Sequence, residues 1–341
     1  MKRSEINSIK RFRAGNLVSK ESPVGKDKRN MYLQRTIKNQ TTCSSVGLHT
    51  GRKITMTIKP AGVDEGITFV RSDAEKGNKC IRASLENVSD TTLATTIGNN
   101  GNAVSTIEHL LSALRGLGID NALIEISGPE VPVMDGSALP FVNMIKNAGI
   151  EEQNEGKRLL VIRKAVRVSD GESWAELLPD TKFTVTYEIQ FNHPLIGLQR
   201  QNLQMTESAY EDEICFARTF GFLKDVEYLQ AKGLALGGSL KNAVVLDDEK
   251  IINKEGLRDP REFVKHKILD AVGDLYLIGM PIIGHFRAYK SGHKLHFMLL
   301  KALTSQPDSW QIIRCYENQA MEGAYFAAPS CAAEALDFAH L

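Results

Sequence analysis

Apolar and polar residues alternate along two stretches of the chain, Ile54–Lys59 and Phe183–Phe191. A side-chain period of two buries one face and wets the other, which predicts half-buried strands. Four further runs, Ala122–Ile126, Leu159–Val168, Ala243–Leu246 and Ile282–Tyr289, also read as strands. Apolar residues recurring at helical spacing predict helices over Thr106–Leu117 and Glu262–Ile278. The first opens on Ser105-Thr106-Ile107-Glu108, which has the spacing of a capping box. Residues 147–157 are polar, carry two glycines and divide the chain near its middle, so they mark the expected domain boundary.

The halves on either side of that boundary look alike. Each begins with an alternating strand that follows a lysine, Lys53 in one and Lys182 in the other. Each later has a helix whose histidine is followed seven residues on by glycine: His109 and Gly116, then His266 and Gly273. The expectation is an α+β protein of two similar two-layer α/β-sandwich domains, arisen by duplication. The expected boundaries are a basic, disordered extension over 1–30, a first domain over 31–152, a second over 153–313, and an Ala-rich extension over 314–341.

Composition narrows the class without identifying it. At 341 residues, 42% hydrophobic and 24% charged, the chain has the make-up of an ordinary globular protein. Its 42 Lys plus Arg almost balance 41 Asp plus Glu, which argues against nucleic-acid binding through net charge. Nine of the basic residues and three of the acidic ones fall within residues 1–30, so the body after them is net acidic. Met31 offers an alternative start that would omit this segment. No apolar run is long enough to span a membrane. Five cysteines, with no CxxC pair, suit a reducing compartment and a cytoplasmic protein.

The second helix holds the first candidate chemistry. His266, Asp270 and Asp274 follow one another at four-residue intervals and, with Glu262, form one polar stripe among Phe263, Ile268, Leu269, Ala271, Val272 and Leu275. Acidic groups on a buried helix need a cation, either a metal held by His266 and Asp270 or the partners of a salt-bridged structural helix. Glu108-His109 on the other helix favours the metal: one residue can ligate while its neighbour takes a proton from water. Two histidines and an aspartate leave a fourth position open, the catalytic arrangement for zinc. The same pair also suits an ordinary helix N-terminus. His293, on a Ser291-Gly292 turn, can give a proton to an amine leaving group with Asp274 as its partner, or be a surface-loop histidine. The Thr219 hydroxyl can donate to an oxyanion.

Taken in order, these pieces belong to a longer set of strings. They are Val46-Gly47-Leu48-His49-Thr50-Gly51, Ser105-Thr106-Ile107-Glu108-His109-Leu110, Gly118-Ile119-Asp120-Asn121 and Pro132-Val133-Met134-Asp135-Gly136-Ser137. Phe191-Asn192-His193-Pro194, Ala217-Arg218-Thr219-Phe220-Gly221-Phe222, Phe263-Val264-Lys265-His266-Lys267-Ile268-Leu269-Asp270 and Tyr289-Lys290-Ser291-Gly292-His293 follow. In this order and at these separations the chain, from about Gln34 to about Ile313, resembles the UDP-3-O-acyl-N-acetylglucosamine deacetylases, zinc amidases of lipid A biosynthesis.

The resemblance implies His109, His266 and Asp270 as ligands of one zinc ion per chain, with ferrous iron an alternative metal. It implies Glu108 as general base, and His293 as cationic general acid with Asp274 as its partner. It implies Thr219 as oxyanion donor, and Lys267 and Phe220 as substrate contacts. The implied fold sets the site between the helices of two like α+β domains. The implied reaction is hydrolysis of the N-acetyl group of UDP-3-O-acyl-N-acetylglucosamine, by a cytoplasmic monomer that needs neither nucleic acid nor a transmembrane segment. Since the body is net acidic and the nucleotide anionic, binding must rest on placed groups such as Lys267. The alternatives are a zinc amidase acting on another N-acetyl sugar and a non-catalytic α+β binding protein.

Overall fold

The computed structural model describes residues 33–75, 79–99 and 101–315. The basic segment 1–30, Met31 and the Ala-rich stretch after residue 315 lie outside the described residues. In chain order, the first half contains β1 (Leu33–Ile37), β2 (Thr41–Val46), β3 (Lys53–Pro60), β4 (Ile67–Arg71), β5 (Cys80–Arg82) and β6 (Val88–Asp90). It continues through β7 (Thr96–Asn99), β8 (Asn102–Val104), α1 (Glu108–Gly116), β9 (Ala122–Ile126), α2 (Leu139–Ala148) and β10 (Ile150–Gly156). The second half contains β11 (Arg158–Ile162), β12 (Val166–Asp170), β13 (Ser173–Leu178), β14 (Phe183–Gln190), β15 (Leu198–Gln204) and α3 (Glu207–Glu213). After these come β16 (Phe220–Phe222), α4 (Leu223–Ala231), β17 (Val244–Leu246), α5 (Glu262–Leu275), β18 (Ile282–Tyr289), α6 (His293–Thr304) and β19 (Trp310–Arg314).

Alternation does its expected work. Along β18 every second residue is buried, and β9 and β3 repeat the pattern. Their inward sides meet α-helices in one continuous apolar cluster that runs from Ile37 to Leu303. The protein is α+β: mostly antiparallel sheets, with the principal helices packed together and against the sheets. α2 lies on β2, α5 on β14 and β15, and α6 on β12 and β13, while α1 packs against both α2 and α5.

The two main sheets share one plan. In the first, β2 runs antiparallel to β3, β3 antiparallel to β9, β9 parallel to β4, and β4 antiparallel to β5. In the second, β12, β13, β18, β14 and β15 follow in the same order with the same directions. β11 and β19 extend that second sheet. Each plan places one helix before its central strand and one after it, so α1 corresponds to α5 and α2 to α6. We propose duplication as the origin of this likeness.

Several expectations change. The helix correspondence of His109 with His266 agrees with the shared plan, but the strand correspondence does not. Lys53 opens β3, whose counterpart in the second sheet is β13, whereas Lys182 precedes β14, the counterpart of β4. Residues 147–157, the expected boundary, contain a strand: after Gly149 the chain enters β10, which pairs antiparallel with β1. Leu159–Val168 is two strands, β11 and β12, divided at residues 163–165. The capping box is absent, because Thr106 takes a left-handed φ of 57° and gives its hydroxyl to Glu130. The helix therefore begins only at Glu108, with no side-chain cap.

The two glycines of the repeated His-Gly spacing each admit a close neighbour. A Cβ on Gly273 would lie 2.0 Å from the backbone oxygen of Glu108, and one on Gly116 would lie 2.1 Å from the Tyr210 ring. Gly273→Ala is therefore expected to lower stability by about 1–3 kcal/mol in a urea titration, the usual cost of overpacking. That loss outweighs the gain of up to about 1 kcal/mol that alanine brings to a helix.

Candidate active site

α1 and α5 meet where Gly273 passes Glu108, and this crossing brings their polar residues together. Nε2 of His109 lies 3.6 Å from Oδ1 of Asp270, and Nε2 of His266 lies 3.4 Å from the same oxygen. The three donor atoms fall within 4.8 Å of one another, and all three residues are buried. Nδ1–H of His266 donates to the backbone oxygen of Ala217 at 3.0 Å, which leaves a lone pair on Nε2. Burial also keeps that ring neutral, lowering its pKa to about 4. A lone pair therefore faces a carboxylate oxygen with no proton between them. That unfavourable pairing is satisfied by a cation, so the donor set fits a divalent metal.

The other oxygen of Asp270 accepts from Lys267 Nζ at 2.7 Å. Burial alone would raise the Asp270 pKa, but His266 and Lys267 hold it well below the usual carboxylate range. Burial likewise opposes the charge of Lys267, and Asp270 overrides it. The Phe220 ring stands 6.2 Å from that of His266 and 4.9 Å from that of Phe263, so it walls one side of the donors. Thr219 precedes it, held by Gly136 O on its N–H and by Val244 N–H on its carbonyl. Its hydroxyl has no hydrogen-bond partner among the described residues.

Glu108 and Asp274 border the same site and are joined through Thr95. The Thr95 N–H donates to Glu108 Oε2 at 3.0 Å, and its hydroxyl donates to Asp274 Oδ1 at 2.6 Å. Burial raises the Glu108 pKa above its ordinary value. Nδ1–H of His293 donates to Asp274 Oδ2 at 2.7 Å. Burial works against an imidazolium there, yet the Asp274 charge prevails and raises the His293 pKa to about 9. Nε2 of His293 is left without a partner among the described residues. His293 is the first residue of α6, reached through Lys290, whose φ is 49°.

Eight of the nine expected site residues thus lie on α1, α5, the start of α6 or β16, and Thr219 immediately precedes β16. Glu262 does not join them. It accepts from Arg218 Nε at 2.8 Å and from Arg218 Nη2 at 3.1 Å, and both side chains are almost wholly buried. This pair clamps the segment 217–219, which leads into β16, onto the head of α5. The expected acidic stripe is therefore three separately compensated carboxylates.

Three contributors escaped sequence reading. Thr95 sits in a threonine-rich loop with no local signal. Glu130 accepts from the N–H groups of His49 and Thr50 and from the hydroxyls of Thr50 and Thr106, so it braces the turn into α1. His296 donates to Asp274 Oδ2 at 2.8 Å. Its i, i+3 spacing from His293 was a readable clue.

Comparison with known proteins gives one consistent result. Residues 34–305 match the family model of LpxC, UDP-3-O-acyl N-acetylglycosamine deacetylase. The chain is 64% identical over 280 residues to a UDP-3-O-acyl-N-acetylglucosamine deacetylase of Syntrophus aciditrophicus, covering 82% of this chain and 89% of that one. It is 50% identical over 303 residues to the protein of that name from Shewanella piezotolerans, covering 88% and 98%. Among the described residues no helix is long and apolar enough to cross a membrane.

Removing the Arg218 guanidinium leaves Glu262 charged and buried. Arg218→Met is expected to cost about 3–5 kcal/mol in a denaturant titration. Arg218→Lys recovers only part of this, because an ammonium cannot make the two-pronged contact. Pairing Arg218→Met with Glu262→Leu removes the unpaired charge but recovers only part of the loss, because the backbone N–H groups of residue 218 and Arg258 lose their acceptor.

Proposed function

The chain belongs to the UDP-3-O-acyl N-acetylglycosamine deacetylase family, and from that premise we propose how its site removes the 2-acetyl group of UDP-3-O-acyl-N-acetylglucosamine. The products are acetate and the free 2-amine. One observation carries the reading: three buried donors converge beside a carboxylate, Glu108, and an imidazole held by Asp274, His293, that come from different helices. Amide hydrolysis needs that combination, because the attacking water must lose a proton and the departing amine must gain one.

His109, His266 and Asp270 are assigned as the ligands of one zinc ion per chain, and the same donors accept ferrous iron. Such an ion, when bound, supplies Lewis acidity that polarises the amide carbonyl and acidifies a water. The rest falls to the protein. Glu108 takes the proton of the attacking water, and its burial makes it a stronger base than an exposed carboxylate. Thr95 holds that carboxylate in place. The oxyanion is met by the Thr219 hydroxyl and by Nε2–H of His293. His293 then hands its proton to the amine, while Asp274 orients the ring and stabilises its charge. Lys267 offers a cation to the anionic substrate, and Phe220 an apolar wall. The enzyme is proposed to act as a cytoplasmic monomer with divisions near residues 30, 152 and 313.

The decisive experiment couples metal analysis to acetate release. About one zinc per chain is expected, with turnover of the acylated nucleotide far above that of UDP-N-acetylglucosamine. A metal-free preparation that hydrolyses the substrate at full rate overturns the reading.

Two variants separate the roles. Glu108→Ala and His293→Ala are each expected to lower kcat by about 10²–10⁴-fold, with metal content unchanged. Loss of metal from the His293 variant would make that residue a ligand instead.

The wild-type profile of kcat/KM against pH should be a bell. On the acid side, activity falls as Glu108 takes up a proton, above the usual carboxylate value because burial raises its pKa. On the alkaline side it falls as His293 loses its proton, at or below about 9, since a neighbouring cation opposes the histidine's own charge. His293→Ala should retain the acid limb and lose the alkaline one.

A further inference from the structure

Asp274 serves two imidazoles with one oxygen. Nδ1–H of His293 and Nδ1–H of His296 both donate to Oδ2, at 2.7 and 2.8 Å, while Thr95 occupies Oδ1 at 2.6 Å. The two histidines are not equivalent. His293 keeps a free Nε2 beside the metal-site residues, whereas His296 is 0% exposed. It is enclosed by the rings of Tyr187 and Phe286, at centroid distances of 6.1 and 5.7 Å. The Tyr187 hydroxyl meets its Nε2 at 3.4 Å. No substrate reaches a group so enclosed, so its effect must pass through Asp274.

We propose that His296 is a positioning residue for the proton donor: its Nδ1–H locks the Asp274 carboxylate and takes part of its hydrogen-bonding capacity, setting how tightly His293 holds its proton. This rests on the reading of His293 as general acid. A carboxylate fixed by Thr95 alone can turn about its Cβ–Cγ bond, and the His293 ring would turn with it. With a second donor on Oδ2 the orientation is set from both sides. The shared oxygen is also a weaker acceptor toward His293 than an unshared one, which makes the imidazolium a stronger acid.

The scheme requires His296 to be neutral, with its proton on Nδ1 and its Nε2 facing the Tyr187 hydroxyl. The ionisable groups around it are Asp274 and Lys267 on α5, His293 on α6 and Tyr187 on β14. Those around His293 are Asp274 and Asp270 on α5, Glu108 on α1 and His296 itself. Burial pushes the His296 pKa down, in keeping with a neutral ring.

His296→Leu removes the donor, and His296→Asn keeps an N–H near the position of Nδ1. The leucine variant is expected to bind metal normally, to hold KM within about twofold, and to lose about tenfold in kcat. Its alkaline limb should move upward by about half to one pH unit, because an unshared Asp274 holds the His293 proton more firmly. The asparagine variant should recover most of both effects. A leucine variant whose limb does not move, or an asparagine variant no better than leucine, overturns the proposal.

Nitrogen-15 spectra of the wild-type, metal-free full chain give a second test that needs no variant to fold. His296 should show the neutral Nδ1–H form throughout the pH range in which His293 titrates. A charged or Nε2–H form of His296 overturns the proposal. If His293→Ala were instead fully active, the assignment of the acid would fail whatever His296 does.

Discussion

The contact between Gly273 and the backbone of Glu108 is the constraint on which the site depends. The donors on α1 and α5 can face a common centre only if the two helices approach closely, and any Cβ at position 273 would occupy the space of the Glu108 carbonyl. Close approach also buries everything polar along the crossing. Glu108, His109, His266, Asp270 and Asp274 are all nearly sealed from water. The sealing raises the basicity of Glu108 and keeps His266 neutral, so the packing that assembles the site also tunes it.

Burial of so many carboxylates is tolerable only because each has its own compensation. Glu262 has the fork of Arg218, Asp270 has Lys267 on one oxygen, and Asp274 has Thr95, His293 and His296. Only the Asp270 group leaves acceptors facing one another without a proton between them, and that is where a metal fits. The Arg218–Glu262 pair lies a turn away from these donors. It still serves them, because it anchors the segment whose Ala217 carbonyl fixes the His266 tautomer.

Much of this was legible in the chain because the relevant elements have one wet and one dry face. β3, β9, β14 and β18 alternate, and α5 keeps its apolar positions in helical register, so periodicity finds them. β10 escaped because its polar residues read as a domain boundary, although its backbone pairs with β1. The capping box failed because spacing reveals neither φ nor partners: Thr106 turns left-handed, the Ser105 hydroxyl accepts from Thr96, and the Glu108 carboxylate accepts from the Thr95 N–H. The candidate ligands, acid and base carry distinctive residue types and were visible by motif. Thr95 was not, since a threonine in a loop acquires meaning only from the carboxylate it meets, and the spacing of His296 from His293 was a clue without a role until both met Asp274.

The Thr95 hydroxyl and the Asp274 carboxylate lie 179 residues apart in the chain. A ribosome that has released the first half has delivered Glu108 and His109 but neither His266 nor Asp270. Until α5 emerges, the face of α1 that packs against it is uncovered and the site is half made. A centre drawn from both helices therefore forms only at the end of synthesis, once α5 has docked on α1.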